Sequence, residues 1–183
     1  MSEHVEPEWA MVTIAFVDIR GFTAFADRST AREAVEYLNE FFDVAVPHVR
    51  DHGGTVNQLL GDGFLAVFAG DDHATDALAA SRGLLRAVED AFGERCRIGL
   101  GLNSGLVLVG TIVAGGLNHP SIIGDPVNVA ARVEAATKEV GVPLLLTEGT
   151  RLLLDGEHPD LEPHGELSLR GKERTVAVYG LAG

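Results

Sequence analysis

Residues 11–23 read MVTIAFVDIRGFT. The run Met11 to Val17 is apolar and β-branched almost without interruption, the pattern of a buried strand. It ends on Asp18. Ile19 to Thr23 carry a glycine and read as a tight turn leaving the strand. Further along, TVNQLL (55–60) and FLAVFA (64–69) are two more short apolar strands. Gly61-Asp62-Gly63 lies between them, a strong hairpin signal. The intervening segment is helical in period. Thr30 and Glu33 stand at capping-box spacing. Val35, Leu38, Phe41, Phe42, Ala45 and Val49 then recur at helical intervals. The spacing predicts a helix over 31–50, bent at Pro47 and ended by His52-Gly53-Gly54.

Downstream, a second helix is predicted over 72–92, with Ala77, Leu78, Leu84, Leu85 and Val88 along it. CRIGLGLNSG and LVLVGTIV read as two strands joined by a Gly-rich turn, and SIIG as a short strand. Asp125 to Lys138 reads as a helix with Val129, Val133 and Ala136 on one face. VPLLL, ELSL and TVAVYGL supply late strands, and 155–165, rich in Asp, Glu, His and Pro, reads as a loop. The order β-α-β-β-α-β with C-terminal additions predicts an α+β domain of ferredoxin-like, palm-type core. Its sheet should be mainly antiparallel, with helices on one face. At 183 residues one domain is expected, 11–183, preceded by a tail at 1–10.

Composition narrows the function. The only cysteine is Cys96, so no internal disulfide can form, which is compatible with a reducing cytoplasm. The acidic start MSEHVEPEW is no secretory signal, and no run of about 20 apolar residues offers a membrane span. A net charge of −13 repels nucleic acid and anionic lipid. It also repels an anionic substrate, so a phosphate site here needs local cations, which a pair of metal ions would supply.

Four segments carry candidate chemistry. In VDIRGFT (17–23), Asp18 sits at the end of a buried strand, where a carboxylate is costly unless something positive meets it. The amides of Gly21, Phe22 and Thr23 open a following helix and can hold phosphate. The alternative is an Asp that merely caps the turn. In LLGDGF (59–64), Asp62 sits at a hairpin tip, where Asp-Gly is also an ordinary turn dipeptide. In a β-α-β-β fold the first strand and this hairpin are neighbours. The two carboxylates can then face one another, a pair suited to hard divalent cations. In IIGDPVNVAARVE (122–134), Asn128 and Arg132 are four apart and share a helix face. Together they suit a phosphoryl group whose charge grows during reaction, although Arg132 could instead form an ion pair with Glu134. In LRGKERTVAVYG (169–180), Arg170, Lys172 and Arg174 concentrate positive charge; Lys172 could reach a terminal phosphate, or the segment is a solvated turn.

In this order and spacing, VDIRGFT, GDGFLAVF and GDPVNVAAR resemble the class III nucleotidyl cyclase catalytic domain, bacterial adenylate cyclase type. The likeness runs from Met11 to Leu181. It implies a homodimer with two head-to-tail composite active sites, in a cytoplasmic cyclic-nucleotide signalling role. Asp18 and Asp62 match the metal-binding aspartates for two divalent cations, Mg²⁺ or Mn²⁺. The Ile19 carbonyl joins them, and the Gly21, Phe22 and Thr23 amides lie on the triphosphate of ATP. Asn128 and Arg132 of the partner orient the ribose and stabilise the transition state, and Lys172 matches a phosphate-binding lysine. The 3′-hydroxyl attacks the α-phosphorus in line, giving 3′,5′-cyclic AMP and pyrophosphate.

Two positions that select the base depart from the family pattern. Gln58 stands where adenylate cyclases usually carry Lys and guanylate cyclases Glu. Ser121 stands where the former usually carry Asp or Thr and the latter often Cys. Both side chains donate and accept, so either purine edge can be satisfied. Ser121 is chemically nearest to the Thr form, which favours ATP. Leu117-Asn118-His119-Pro120 replaces the more basic or aromatic stretch expected in a dimerisation arm. A diguanylate cyclase is a weaker match, because its hairpin carries a second acid that Gly61-Asp62-Gly63 lacks. A degenerate domain that only binds nucleotide or a partner is the alternative outside enzymes.

Overall fold

The computed structural model describes residues 6–115, 117–168 and 175–181. Its elements in order are β1 (Glu8–Ile19), α1 (Phe22–Ala26), α2 (Ala31–Asp51), β2 (Thr55–Leu59), β3 (Gly63–Ala69) and α3 (His73–Phe92). There follow β4 (Ile98–Ala114), β5 (Leu117–Ile123), α4 (Asp125–Val140), β6 (Leu144–Thr147), α5 (Glu148–Arg151), β7 (Leu161–Ser168) and β8 (Thr175–Leu181). One eight-stranded sheet runs in the order β2-β3-β1-β4-β6-β8-β7, with β5 paired to β4. Every pairing is antiparallel except β4 with β6.

The predicted α+β domain with a mainly antiparallel sheet is what forms. The capping box at α2 is complete: Glu33 N–H donates to Thr30 Oγ1, and Thr30 N–H donates to the Glu33 carboxylate. Pro47 lies within α2, which continues to Asp51. β1 starts at Glu8, three residues earlier than the apolar run. Short α5 went unpredicted, and β7 begins inside the stretch read as a loop.

The helices occupy both faces of the sheet, not one. On one face, Ala15, Val17 and Ile19 of β1, Phe64 and Phe68 of β3, and Leu100 and Leu102 of β4 form a buried core. α2 closes it with Phe41, Ala45 and Val49, and α3 with Leu78, Leu84 and Val88. On the other face, Val12, Ile14, Leu65 and Val107 cluster with Ala130 of α4.

The Gly-rich segment explains the difference. CRIGLGLNSG and LVLVGTIV are not two strands about a turn but one 17-residue strand, β4. Three of its glycines, Gly99, Gly101 and Gly105, fall on the α4 side of the strand. A Cβ at Gly101 would lie 2.1 Å from the Glu134 nitrogen, and one at Gly105 would lie 2.5 Å from Pro126 Cγ. Strand residues alternate faces, so Gly99, Gly101 and Gly105 form a flat track on which α4 seats. Asn103 anchors the start of that helix: its Nδ2 donates to the Pro126 carbonyl at 3.0 Å, while its Oδ1 accepts from Thr147 Oγ1 at 2.9 Å.

Candidate active site

The site lies at the end of the sheet where β1 stops and the β2–β3 hairpin turns. Asp18 pairs in register with Gly63. Gly61 holds φ 72°, the left-handed region glycine tolerates, and Leu60 N–H donates to the Gly63 carbonyl at 2.8 Å to close the turn. Gly63 permits the close approach of β1, because a Cβ there would stand 2.1 Å from the Val17 carbonyl oxygen. Ile19 N–H then donates to the Asp62 carbonyl at 3.2 Å. Asp18 and Asp62 are thus delivered to one sheet end from two strands.

Their environment is electrostatically uneven. Burial, then the neighbouring Asp18 carboxylate, pushes the Asp62 carboxyl above its ordinary value, with Lys138 pulling weakly the other way. Lys138 Nζ donates to Asp18 Oδ2 at 3.2 Å. Beside it, the Arg20 guanidinium pairs with Glu134 Oε1 at 3.4 Å and donates to Thr137 Oγ1. Burial is the main cause that raises the Glu134 carboxyl. The Asp18 charge adds to it, and Arg20 and Lys138 oppose it. Gly99 makes room for this pair, since a Cβ there would sit 2.3 Å from the Arg20 guanidinium.

The turn after β1 is fixed by Arg20 N–H donating to the Arg97 carbonyl at 2.7 Å and by Gly21 at φ 73°. α1 follows, with Phe22 stacked on Tyr37 and Phe25 tilted against it at a centroid distance of 4.8 Å. The first amides of a helix lack intrahelical acceptors, and Gly21, Phe22 and Thr23 stand at the start of α1, three to five residues after Asp18.

Asn128 and Arg132 are exposed on α4, on the side away from buried Val129, Ala130 and Val133. Among the described residues, no hydrogen bond or ion pair joins either one to Asp18 or Asp62. Glu134, considered from sequence as a partner for Arg132, is engaged by Arg20 instead. Gln58 is exposed on β2, next to a register shift between Val56 and Gln58. Ser121 is half-buried on β5, opposite Gly110, and donates to the His119 carbonyl at 3.3 Å. Lys172, with Arg170 and Arg174, lies outside the described residues.

Sequence reasoning missed Arg20, Glu134 and Lys138 as parts of this cluster. Glu134 and Lys138 stand four apart, a spacing that reads as an ordinary surface pair on a helix. Nothing local indicates that both reach the end of β1.

The donor set suits hard divalent cations. Two carboxylates at one sheet end, one of them disfavoured as an anion by burial and then by its neighbour, call for added positive charge. The Asp18 carboxylate already takes an ammonium. Among the described residues no group of three or more His, Cys, Asp or Glu side chains is arranged to hold a metal. Two aspartates and a strand-end carbonyl would supply only part of a divalent cation's shell, which suits an ion such as Mg²⁺ that keeps several waters.

Taken together, these elements define an α+β domain that brings two carboxylates and two cationic side chains to one end of its sheet. Residues 5–183 match the family described as the adenylate and guanylate cyclase catalytic domain, and the chain belongs to that class III nucleotidyl cyclase family. An adenylate cyclase of Anabaena cylindrica is 29% identical over 182 residues, covering 92% of this chain and 36% of the relative. The terminal-differentiation specific adenylate cyclase of Dictyostelium discoideum is 26% identical, covering 92% of this chain and 8% of that protein. The chain thus spans well under half the length of these two relatives. In fold it is similar to the adenylyl cyclase CyaB from P. aeruginosa, with TM-score 0.87, 23% identity, and coverage of 98% of this chain and 97% of that one. It is also similar to the guanylyl cyclase Cya2, with TM-score 0.86, 25% identity, and coverage of 96% and 93%. Among the described residues, no helix is long and apolar enough to cross a membrane.

Proposed function

We propose that the chain is an adenylate cyclase, acting as a homodimer whose two active sites each combine residues of both subunits. The observation that carries this reading is the separation of two half-sites. Asp18 and Asp62 meet at one sheet end, while Asn128 and Arg132 point to solvent from α4 of the same chain. A second copy, placed head to tail, brings the missing half to each site.

Asp18, Asp62 and the Ile19 carbonyl would hold two divalent cations, Mg²⁺ or Mn²⁺, which when bound supply Lewis-acid stabilisation of the charge on the triphosphate and the reacting hydroxyl. The amides of Gly21, Phe22 and Thr23 bind the triphosphate. Lys172 neutralises its terminal phosphate. From the partner, Asn128 orients the ribose so that the 3′-oxygen lies in line with the α-phosphorus. Arg132 stabilises the charge that accumulates on the α-phosphoryl oxygens. The 3′-oxygen forms its bond to phosphorus as the bond to the bridging oxygen breaks, and pyrophosphate departs. No side chain is an evident general base.

ATP is favoured over GTP because Ser121 is closest to the hydroxyl form found in bacterial adenylate cyclases and Gln58 can donate to adenine N1. The guanylate or dual-specificity reading stays in play through the same two residues, whose hydrogen-bonding groups can rotate to either purine edge. Side-by-side turnover of ATP and GTP with Mg²⁺ and with Mn²⁺ tests the assignment. Cyclic AMP is the expected main product, and equal or better turnover of GTP overturns the preference. A chain that binds ATP with Mn²⁺ yet makes no cyclic nucleotide is a binding module instead.

A further inference from the structure

We propose that Lys138 is an internal counter-cation for the metal site, displaced from Asp18 when a divalent ion binds, and that it thereby sets the metal affinity of the domain. The inference rests on the reading of Asp18 as a metal ligand given above.

The geometry singles out Lys138. Three carboxylates, Asp18, Asp62 and Glu134, share this sheet end with two cations, Arg20 and Lys138, which pair with Glu134 at 3.4 Å and with Asp18 at 3.2 Å. Arg20 is not free to leave. Its guanidinium is shared between Glu134 and Thr137, only 19% exposed, and seated where Gly99 has no side chain. The Lys138 side chain is 54% exposed and, among the described residues, its one ion pair is to Asp18, whose side chain is 27% exposed.

Glu134, Thr137 and Lys138 fall at i, i+3 and i+4, on one side of α4. Clamping the first two onto Arg20 therefore aims the third at Asp18. Lys138 also lies in the last turn of α4, where a cation is favoured by the helix dipole. Its flexible stem has somewhere to go. A cavity of about 690 Å³ opens beside Lys138, bordered also by Glu89, Glu94, Arg20, Arg97 and Thr137, so both signs of charge line the space it can enter.

A lysine in this position acts as a placeholder. It offsets the repulsion between the two aspartates before metal loading and withdraws when a divalent ion takes Asp18. The occupied site therefore gains less than the same site without the lysine, and affinity is held down. This makes Lys138 a positioning residue, distinct from the groups that touch substrate.

The test is direct Mn²⁺ binding to the full chain without nucleotide, read as free Mn²⁺ by electron paramagnetic resonance at fixed ionic strength. Lys138→Gln and Lys138→Met should each tighten Mn²⁺ by about three- to fivefold, the scale of one partly exposed ion pair. Lys138→Arg should stay within about twofold of the parent. Arg97→Gln removes a nearby charge that pairs with Glu94 rather than Asp18, and should also change affinity by less than about twofold. Unchanged or weaker binding in both neutral variants overturns the proposal. So does an equal gain in Arg97→Gln, which would mark a general field effect. Asp18→Asn should lose the site; if it retains parental Mn²⁺ affinity, the metal reading of Asp18 fails and the placeholder role fails with it.

Discussion

Ile19 donates its backbone N–H to the carbonyl oxygen of Asp62 at 3.2 Å, tying the last residue of β1 to the tip of the β2–β3 hairpin. The bond connects residues from two separate strand ends and sits one position beyond the Asp18–Gly63 pair of the ladder. It sets where the two carboxylates stand relative to each other. The polar cluster is therefore positioned by backbone, and only then tuned by Lys138 and Arg20.

Gly63 should be intolerant of any side chain. A Cβ at this position meets the Val17 carbonyl at 2.1 Å, whereas Gly61 has open space and only a left-handed φ of 72°. Gly63→Ala is expected to cost about 2–3 kcal/mol through forced separation of β1 and β3, and Gly61→Ala about 1 kcal/mol. Urea unfolding of both variants measures this. Equal losses at the two positions would show that the close approach is relaxed in solution.

Asp62→Asn should stabilise the metal-free protein while abolishing turnover. The folded Asp62 carboxyl titrates above its ordinary value of 3.8, because of burial and then Asp18. A carboxyl raised in this way favours the folded state at low pH. That contribution is lost as pH rises through the folded value, and at neutral pH the charged group is a liability. The melting temperature of Asp62→Asn without metal should exceed the parent's at neutral pH and converge with it under acid. A lower melting temperature at neutral pH would mean that hydrogen bonds to the carboxylate outweigh the repulsion.

Asp18→Ala and Arg132→Ala should each abolish cyclase activity alone, since each half-site depends on the other. Mixed under conditions of subunit exchange, they should recover part of the parental rate, because one of the two heterodimer sites is intact. Exchange proven by mass spectrometry with activity still at zero would exclude the shared-site arrangement.

Base preference should move with Gln58. Gln58 is exposed beside an irregular point in β2, so its replacement should leave the fold unaffected. Gln58→Glu is expected to shift the ratio of kcat/KM for GTP over ATP upward by roughly tenfold, because a carboxylate accepts from guanine N1–H and repels adenine N1. Gln58→Lys should shift the ratio the other way. If neither variant changes it by more than about twofold, selection lies elsewhere, with Ser121 the next position to alter.

Much of the arrangement of the candidate site is legible in the sequence. Asp18 and Asp62 could be placed together because a strand followed by a helix and a hairpin makes neighbours of the first and third strands, which is the pairing found. The helix carrying Asn128 and Arg132 was equally clear from Val129, Val133 and Ala136. The segment around Gly105, where CRIGLGLNSG meets LVLVGTIV, reads as a turn in sequence but continues β4 together with Gly99 and Gly101, because glycine in a strand and glycine in a turn look alike until the partner element is known. What those glycines admit is α4, on the face of the sheet opposite α2 and α3.

By itself, then, the sequence determined most of the strands, the long helices, the capping box and the turn at Asp62. These depend on residues within a few positions of one another, and hydrophobic period and glycine conformation report them directly. Only the tertiary structure decided that α4 crosses the second face, that Arg20 rather than Arg132 holds Glu134, and that Lys138 meets Asp18 from 120 residues away. The physical reason is range. An ion pair is specified by where two backbones bring their side chains, and in a chain with 22% charged residues no local spacing says which opposite charges will meet.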